Sequence, residues 1–420
     1  MAGQQLDIGI AGCGVAGLAS AVLLHRQGHR VTLYERFDQP RPLGSGLMIQ
    51  PTGLAVLDRL GLAGRILRDG APVTRLLGRN ADGRVVLDAR YGDLSRRGAF
   101  GIGIHRASLF AALYEAVQAE GIAIRTGREV TGSAMGDGGR RIAFADGGSS
   151  PDHDLVVDTL GLHTTLAPPT GRWLDYGALW TTLDWPAGST FDPTLLEQRY
   201  RAARQMVGVL PTGQGRLALF WSLRADALEG WKAAGLSAWK DEVLRLWPEC
   251  AVLLDRIEDP GQLTFARYAH RTLPRPVDER LIHIGDAWHS ASPQLGQGAN
   301  MALLDAWALA MALGEERAGG EGALQARLER AIAFRRGHVK LYQWLTALFT
   351  PLYQSDAALP ALLRDWLLAP LSRVGPGGAV QAVLVGGLAG GPLRRLGLDI
   401  PDYLGLAEPS QPSVTVAVPA

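Results

Sequence analysis

Cysteine is nearly absent from this chain: 420 residues hold only Cys13 and Cys250. Two thiols build neither a disulfide framework nor a four-ligand zinc site, which excludes a small disulfide-stapled fold and points to a reducing compartment. An excess of charge of either sign is also missing. Lysine plus arginine number 42 against 41 acids, a net charge of +1, so no overall field draws a polyanion, and nucleic acid is not an expected partner. No histidine, cysteine or carboxylate cluster has metal-ligand spacing, so no metal is expected, and no G-x-S-x-G nucleophile elbow occurs. Internal repeats and low-complexity blocks are absent. The chain starts polar and enters a strand without a basic leader or small-residue cleavage site, so the expectation is a cytoplasmic protein.

One stretch, Val374 to Leu393, has no charge over about the length that spans a bilayer. Its seven glycines and two prolines argue against a spanning helix and for an interfacial or packed C-terminal segment, with contact to a membrane surface or a lipophilic substrate as its functional readings.

What remains is the composition of a globular enzyme, 47% hydrophobic and 20% charged, with length for two intimately packed domains. The first thirty-six residues read as strand (Asp7 to Ala11), helix (Val15 to Gln27) and strand (Arg30 to Glu35), one βαβ unit. A helix starts after His105 and Arg106 and ends at Gly121, followed by strands at 122–126 and 129–135. From 170 to 280 strands rich in tryptophan and tyrosine, such as Gly177 to Trp185 and Arg216 to Leu223, are interrupted by a helix at 236–254. Arg280 to Gly285 returns to a buried strand, then a Gly-rich loop and a helix from Gly298 to Leu313. Beyond 320 the chain is helical, with breaks expected at Pro351, Pro360, Pro370, Pro376 and Pro392.

Gly12, Gly14 and Gly17 form GxGxxG between the first strand and helix. Glycine serves there for a tight turn, for close approach of a pyrophosphate to backbone and for helix-on-strand packing. The helix N-terminus favours the phosphate charge. Glu35, eighteen residues after Gly17, can accept both ribose hydroxyls and would repel a 2'-phosphate, so the site suits FAD or NAD. A second constellation runs Gly285-Asp286-Ala287-Trp288-His289, Pro293, then Leu295-Gly296-Gln297-Gly298-Ala299-Asn300. Its strand delivers Asp286 to a carboxyl end, where it can accept a ribityl hydroxyl, and the amides of Gly296 to Asn300 can meet the pyrimidine edge of an isoalloxazine. A dehydrogenase using NAD alone has no need of this loop.

Together the GxGxxG with Glu35, the Ile104-His105-Arg106 helix start and the GDAxHxxxPxxGxGxN run resemble the single-component (class A) flavoprotein monooxygenases of the para-hydroxybenzoate hydroxylase type, a group that includes the ubiquinone-pathway hydroxylases. The likeness covers residues 5 to 310. It implies an α/β fold: a Rossmann-like FAD-binding domain from 1–70, 101–170 and 280–320, a mixed β-sheet substrate domain from 71–100 and 171–279, a helical C-terminal region at 321–405 and a flexible tail at 406–420. It implies that Gly12, Gly14, Gly17, Glu35 and Arg36 hold the adenosine half of FAD, with Val15, Ala16 and Val130 as further cofactor-binding residues. Arg106 would reach the pyrophosphate or ribityl region, Asp286 the ribityl chain, and Gly46, Leu47, Gly296, Gly298, Ala299 and Asn300 the flavin. Pro293 would lie at the reacting edge, and His289 is read either as an acid or base or as a packing residue.

One motif departs from that pattern. The family's Asp-Gly, Ser, Arg run resembles Leu155 to Ala167, where Gly161 and His163 match, Thr164 replaces serine, Leu160 replaces the aspartate and Ala167 the arginine. That motif serves FAD and the transient nicotinamide, so reduction by NADPH or NADH is the doubtful step. Asp158, expected on a strand face shared with Leu160, is a candidate to compensate. Trp180, Trp185, Phe220, Trp221, Tyr268 and His270 are read as core or as the lining of an aromatic pocket. Trp288, where alanine is commoner in the family, is read as a packing change.

The resulting expectation is an FAD-dependent monooxygenase that moves one oxygen atom from O2, through a flavin C4a-hydroperoxide, to an aromatic, polycyclic or lipophilic molecule, with NADPH or NADH as transient reductant. The alternatives are a flavin-dependent reductase or dehydrogenase on the same scaffold and a flavin-binding subunit without turnover of its own. A halogenase is disfavoured by the lack of a Trp-x-Trp-x-Ile-Pro segment. Oligomeric state is not encoded in these features.

Overall fold

The computed structural model describes residues 5–41, 44–94, 98–314, 321–371 and 376–407. The expected tail lies outside the described residues from 408 onward. Strands Asp7–Ala11, Arg30–Tyr34, Ala123–Arg125, Leu155–Asp158 and Leu281–His283 make a parallel sheet in which the first strand is flanked by the second and the fourth. The short strand Val277–Asp278 closes one edge antiparallel. Ile8, Ile10, Val156 and Val157 are all buried, because both faces of a parallel sheet are covered: Ile8, Ile10 and Val157 pack with the helices, and Val156 packs with Val130, Ile142 and Phe144 of the antiparallel pair Val130–Met135 and Arg140–Phe144. Strand order reverses at the first strand, and ligands of open α/β sheets bind outside the carboxyl ends at such a point. Helices Val15–Arg26, Gly298–Gly314 and Glu321–Tyr353 stack in turn on this unit.

An 8-stranded sheet forms the second layer, in the order His289–Ser290, Thr264–Thr272, Arg172–Asp184, Arg216–Arg224, Gln205–Gly213, Leu195–Arg201, Arg75–Asn80, Val85–Arg90. It is antiparallel except between Leu195–Arg201 and Arg75–Asn80. Alternation along each strand separates its two faces. Leu217, Leu219 and Trp221 pack against Trp239, Val243 and Leu246 of a covering helix, whereas Ala218 and Phe220 join Met206, Leu210 and Tyr200 on the other side. Thr272 pairs with His289, so the edge of this sheet is continuous with the loop that follows Gly285. The two layers therefore meet at that loop.

Several local expectations change. The strand Ala71–Val73, placed by sequence with the substrate sheet, pairs with Gly101–His105 in a 3-stranded sheet completed by Gly46–Ile49. The helix expected at 236–254 is Leu228–Leu246, broken at Gly235 (φ 78°), with a separate turn Ala251–Leu254 after Pro248. Pro248 has no amide hydrogen to continue the ladder. Pro351 does not end its helix, which runs on to Tyr353, while Pro392 opens one as the N-terminal preference of proline requires. The uncharged stretch folds, over its described residues, into the short helix Gly377–Val385 and the turns after it. No helix among the described residues is long and apolar enough to cross a membrane.

Candidate active site

At the switch point the three glycines divide their work. Gly12 has φ 104°, open to glycine at no steric cost. A Cβ on Gly17 would stand 2.0 Å from the Gly12 carbonyl oxygen, so that position holds helix against turn. Among the described residues a Cβ on Gly14 would meet nothing within 4 Å, and Gly14 is exposed: the space above it is the approach a diphosphate needs. The helix starting at Val15 has no side-chain cap, so its first amides remain available to an anion. Ala16 and Gly17 are buried beneath that turn.

Glu35 stands at the end of the second strand. Its Oε2 accepts the Cys13 amide at 3.1 Å and its Oε1 accepts the Phe37 amide at 3.1 Å, leaving further lone pairs for ribose hydroxyls. Burial, reinforced by Glu35, pushes the Cys13 thiol up, so Cys13 is an inert packed residue. Arg36 is exposed with its guanidinium over Phe37. Val130 is buried with Ala11, Tyr34 and Phe144. The cradle thus fits an adenosine diphosphate: open backbone amides, a position where a side chain would intrude, and a fixed carboxylate at the second strand.

A cavity of about 830 Å³ lies against the second glycine-rich loop. Its walls are the Gly44–Met48 segment, Arg106, Asp286, the 289–299 loop, one face of the large sheet and the C-terminal helices. Gly46 is held between Thr212 and Ala218, where a Cβ would come within 2.8 Å of both; Leu47 is half-buried. Arg106 opens its helix and faces Gly44, whose φ is 100°. Asp286 is open to the cavity but enclosed by protein beyond it. That enclosure raises its carboxyl pKa, while His289 and Arg106 oppose the rise and Asp305 adds to it.

The loop after Pro293 is braced rather than loose. Pro293 itself is exposed to the cavity, and Gly296 takes the left-handed conformation with φ 62°. Asn300 is fully buried: its Oδ1 accepts the Gln50 amide at 2.8 Å, and its Nδ2 donates to the Met48 and Gly296 carbonyls at 3.0 Å each. Its side chain is a strut between loop and strand, not a group turned to a ligand. Gly298 and Ala299 line the cavity at the helix start. His289 is buried with Nε2 2.6 Å from Asp305 Oδ2. Arg335 Nε donates to Asp305 Oδ1 at 2.8 Å and its Nη1 to His338 Nδ1 at 2.8 Å. Placed so, His289 is committed to a buried ionic chain, which favours its packing reading over acid or base work. Asp305, invisible to motif reading, is the hub of that chain.

The departure around Leu160 is resolved structurally. Leu160 does not continue the strand, which ends at Asp158; it begins a tight turn, and the Asp158 carboxylate accepts its amide at 3.0 Å. The other Asp158 oxygen meets Thr164 Oγ1 and His283 Nδ1 at 2.5 Å each. Asp158 is fully buried, with both of its oxygens engaged inside the protein. Arg271 donates to the Leu162 carbonyl at 3.0 Å from below.

Of the sheet aromatics, Trp180, Phe220 and Tyr268 line the cavity, and Trp180 stacks on Phe220 with centroids 4.7 Å apart. Trp185 and Trp221 belong to the opposite face, and His270 is absent from the lining. Trp288 is 3% exposed in the core, a packing residue. Sequence reading missed Gln198, Tyr200, Tyr353 and Arg364, which line the cavity from the sheet and the C-terminal region. No local motif marks them; only tertiary packing gathers them.

Comparison with known proteins agrees with this geometry. The chain is 27% identical over 321 residues to 3-amino-4-hydroxybenzoate 2-monooxygenase of Streptomyces cremeus, covering 73% of this chain and 78% of that protein. It is 25% identical over 380 residues to 2-heptyl-3-hydroxy-4(1H)-quinolone synthase of Mycobacteroides abscessus, covering 87% and 94%. In fold it is similar to Klebsiella pneumoniae HpxO, solved with FAD and uric acid, with a TM-score of 0.76 at 20% identity over 90% of this chain and 97% of that one. The "FAD binding domain" family model matches residues 5–340, and with the dinucleotide cradle and the cavity in view, the chain belongs to that FAD-binding family.

Proposed function

We propose that this protein is an FAD-dependent monooxygenase that places one oxygen atom of O2 on an aromatic, largely apolar substrate, with NADPH or NADH as the electron donor. The observation that carries the reading is one cavity lined both by the Asp286 and Pro293–Ala299 segment and by the stacked Trp180 and Phe220. FAD would supply the redox and oxygen chemistry when bound; the residues supply position and polarity. Amides at Val15 to Gly17 would hold the pyrophosphate, Glu35 the ribose, Arg106 and Asp286 the central chain, and the backbone of Gly296 to Ala299 the ring edge. Aromatic and aliphatic walls would orient a planar substrate and exclude water. The relatives named above, one a monooxygenase of an aminohydroxybenzoate and the other a synthase of an alkyl hydroxyquinolone, support an aromatic substrate class.

The lipophilic side of this reading is favoured by Leu368 and Val380, which are exposed apolar residues at the cavity wall, next to exposed Leu359, Leu362 and Trp366. Anaerobic titration of the purified protein with NADPH and with NADH, with a panel of phenols and polycyclic aromatics, tests the donor. Bleaching of the visible flavin absorbance, accelerated by one aromatic and followed in air by uptake of one labelled oxygen atom into it, is the expected result. Bound flavin that neither nucleotide reduces would reassign the protein to the partner-reduced or non-redox flavoproteins.

A further inference from the structure

The segment Arg364–Leu368 is π-helical, a winding that recurs at functional sites, and it is inverted with respect to solvent. Its arginine is 1% exposed, whereas Trp366 and Leu367 are 63% and 50% exposed. Burying the cation and baring its apolar neighbours opposes ordinary solvation, so a polar partner inside is required. Arg364 Nε donates to Asp365 Oδ1 at 2.7 Å and Nη1 to the Leu352 carbonyl at 3.0 Å. The guanidinium lies over the rings of Tyr200 and Tyr353, at 4.8 and 5.4 Å from their centroids. Among the described residues Nη2 is buried with no hydrogen-bond partner, and Arg364 is part of the cavity wall. The neighbouring Tyr200 hydroxyl is already spent on Gln198 Oε1 at 2.5 Å.

A buried charged donor left without an acceptor is costly, and native structures leave few of them. We propose that Arg364 Nη2 recognises an oxygen acceptor on the aromatic substrate, and that this acceptor is neutral, a carbonyl or phenolic oxygen rather than a carboxylate. The neutrality follows from Asp365, whose carboxylate already balances the guanidinium charge. Tyr200 and Tyr353 hold the plane of the fork so that its free corner is fixed. Arg364 is thus a specificity-determining residue supplied by the C-terminal region, and the inference rests on the proposed function above.

The test compares 1-naphthol, naphthalene and 1-naphthoate, one ring system with a neutral, no or an anionic acceptor, by their perturbation of the bound-flavin absorbance. Flavin content and melting temperature are measured first for the wild type, Arg364→Met, Arg364→Lys and Asp365→Asn. A hydrogen bond to a charged donor predicts ten- to hundredfold tighter binding of 1-naphthol than of naphthalene in the wild type. The ratio should collapse towards one in Arg364→Met and in Arg364→Lys, with naphthalene affinity little changed, and Asp365→Asn should turn the preference towards 1-naphthoate. Equal ratios in wild type and variants, the result if Nη2 serves only a solvent molecule, would overturn the proposal, as would failure of all three probes to bind. Arg364→Lys keeps the charge and the stem, so it remains informative if the methionine variant does not fold. A colourless protein sinks the flavoenzyme reading itself, whereas a yellow one without discrimination sinks only this inference.

Discussion

At Gly14 the missing side chain faces open space, and at Gly17 it faces a carbonyl oxygen 2.0 Å from where a Cβ would be. Two substitutions that look alike in sequence should therefore fail differently. Gly14→Ala is expected to leave the melting temperature of the FAD-free protein within about 2 °C, consistent with a change under about 0.5 kcal/mol, while weakening FAD binding at least tenfold by fluorescence titration. Gly17→Ala should lower that melting temperature or prevent folding. Equal losses of stability in both would contradict the assignment of Gly14 to ligand approach.

Asp286 carries a pH signature. Its carboxyl pKa is raised in the folded state, first by enclosure, so the unfolded chain releases that proton at lower pH. Stability from this group is full below the ordinary carboxylate value of 3.8 and is lost as pH rises through the folded value. In the FAD-free protein Asp286→Asn should melt higher than wild type near neutrality, with the gap closing towards about pH 4, and should bind FAD more weakly. A gap independent of pH would remove the linkage. GxGxxG, Glu35 and the GD run were legible because each is a local run whose spacing carries the chemistry. His289 was ambiguous because its partner, Asp305, lies one helix away.

Among elements, the helix Gly298–Gly314 links the two layers through Asp305 and His289. Asn300 at its start ties the loop to the strand Gly46–Ile49, and Asp305 one turn on binds Gly285, His289 and Arg335. Burial alone would raise the Asp305 pKa, but His289 and Arg335 pull it below the usual range. Asp305→Asn leaves the buried Arg335 guanidinium short of a counter-charge and should cost about 3–5 kcal/mol in urea unfolding. A loss below about 1 kcal/mol, the level of an exposed pair, would mean that the chain is not held as an ion pair.

Element identity was readable where periodicity was strong, as in Val15–Arg26 and the sheet strands of the dinucleotide unit. It failed at Leu228–Leu246, because a glycine break and a proline stop share one apolar pattern. It failed at Leu160 too, which turns away after the strand ends at Asp158, since a run of apolar residues does not say where a strand turns.

On the scale of the molecule, the cavity is shared by the parallel unit, the large sheet and the C-terminal helices. Gln297 Nε2 donates to the Val385 carbonyl at 2.6 Å, and the His338 ring meets the Gly387 carbonyl at 3.0 Å, so the last region is fastened to the loop before the helix Gly298–Gly314 and to its neighbours. Added FAD should therefore shift one melting transition for the whole chain. At a hundredfold excess over Kd the gain is about 2.7 kcal/mol, and calorimetry should show a single peak moving by several degrees. A two-peak trace in which only one peak responds would show that the regions unfold apart.

By itself the sequence determined the cofactor class and the strand-turn-helix unit that receives it, because backbone geometry at Gly12, Gly14 and Gly17 depends on residues adjacent in the chain. Only the tertiary structure decided that Asn300 is a strut, that His289 is held by Asp305, that Asp158 is spent internally, and that Arg364 reaches the cavity from the far end of the chain. Those outcomes depend on which distant groups come within about 3 Å, the length of a hydrogen bond, and no local spacing encodes that distance.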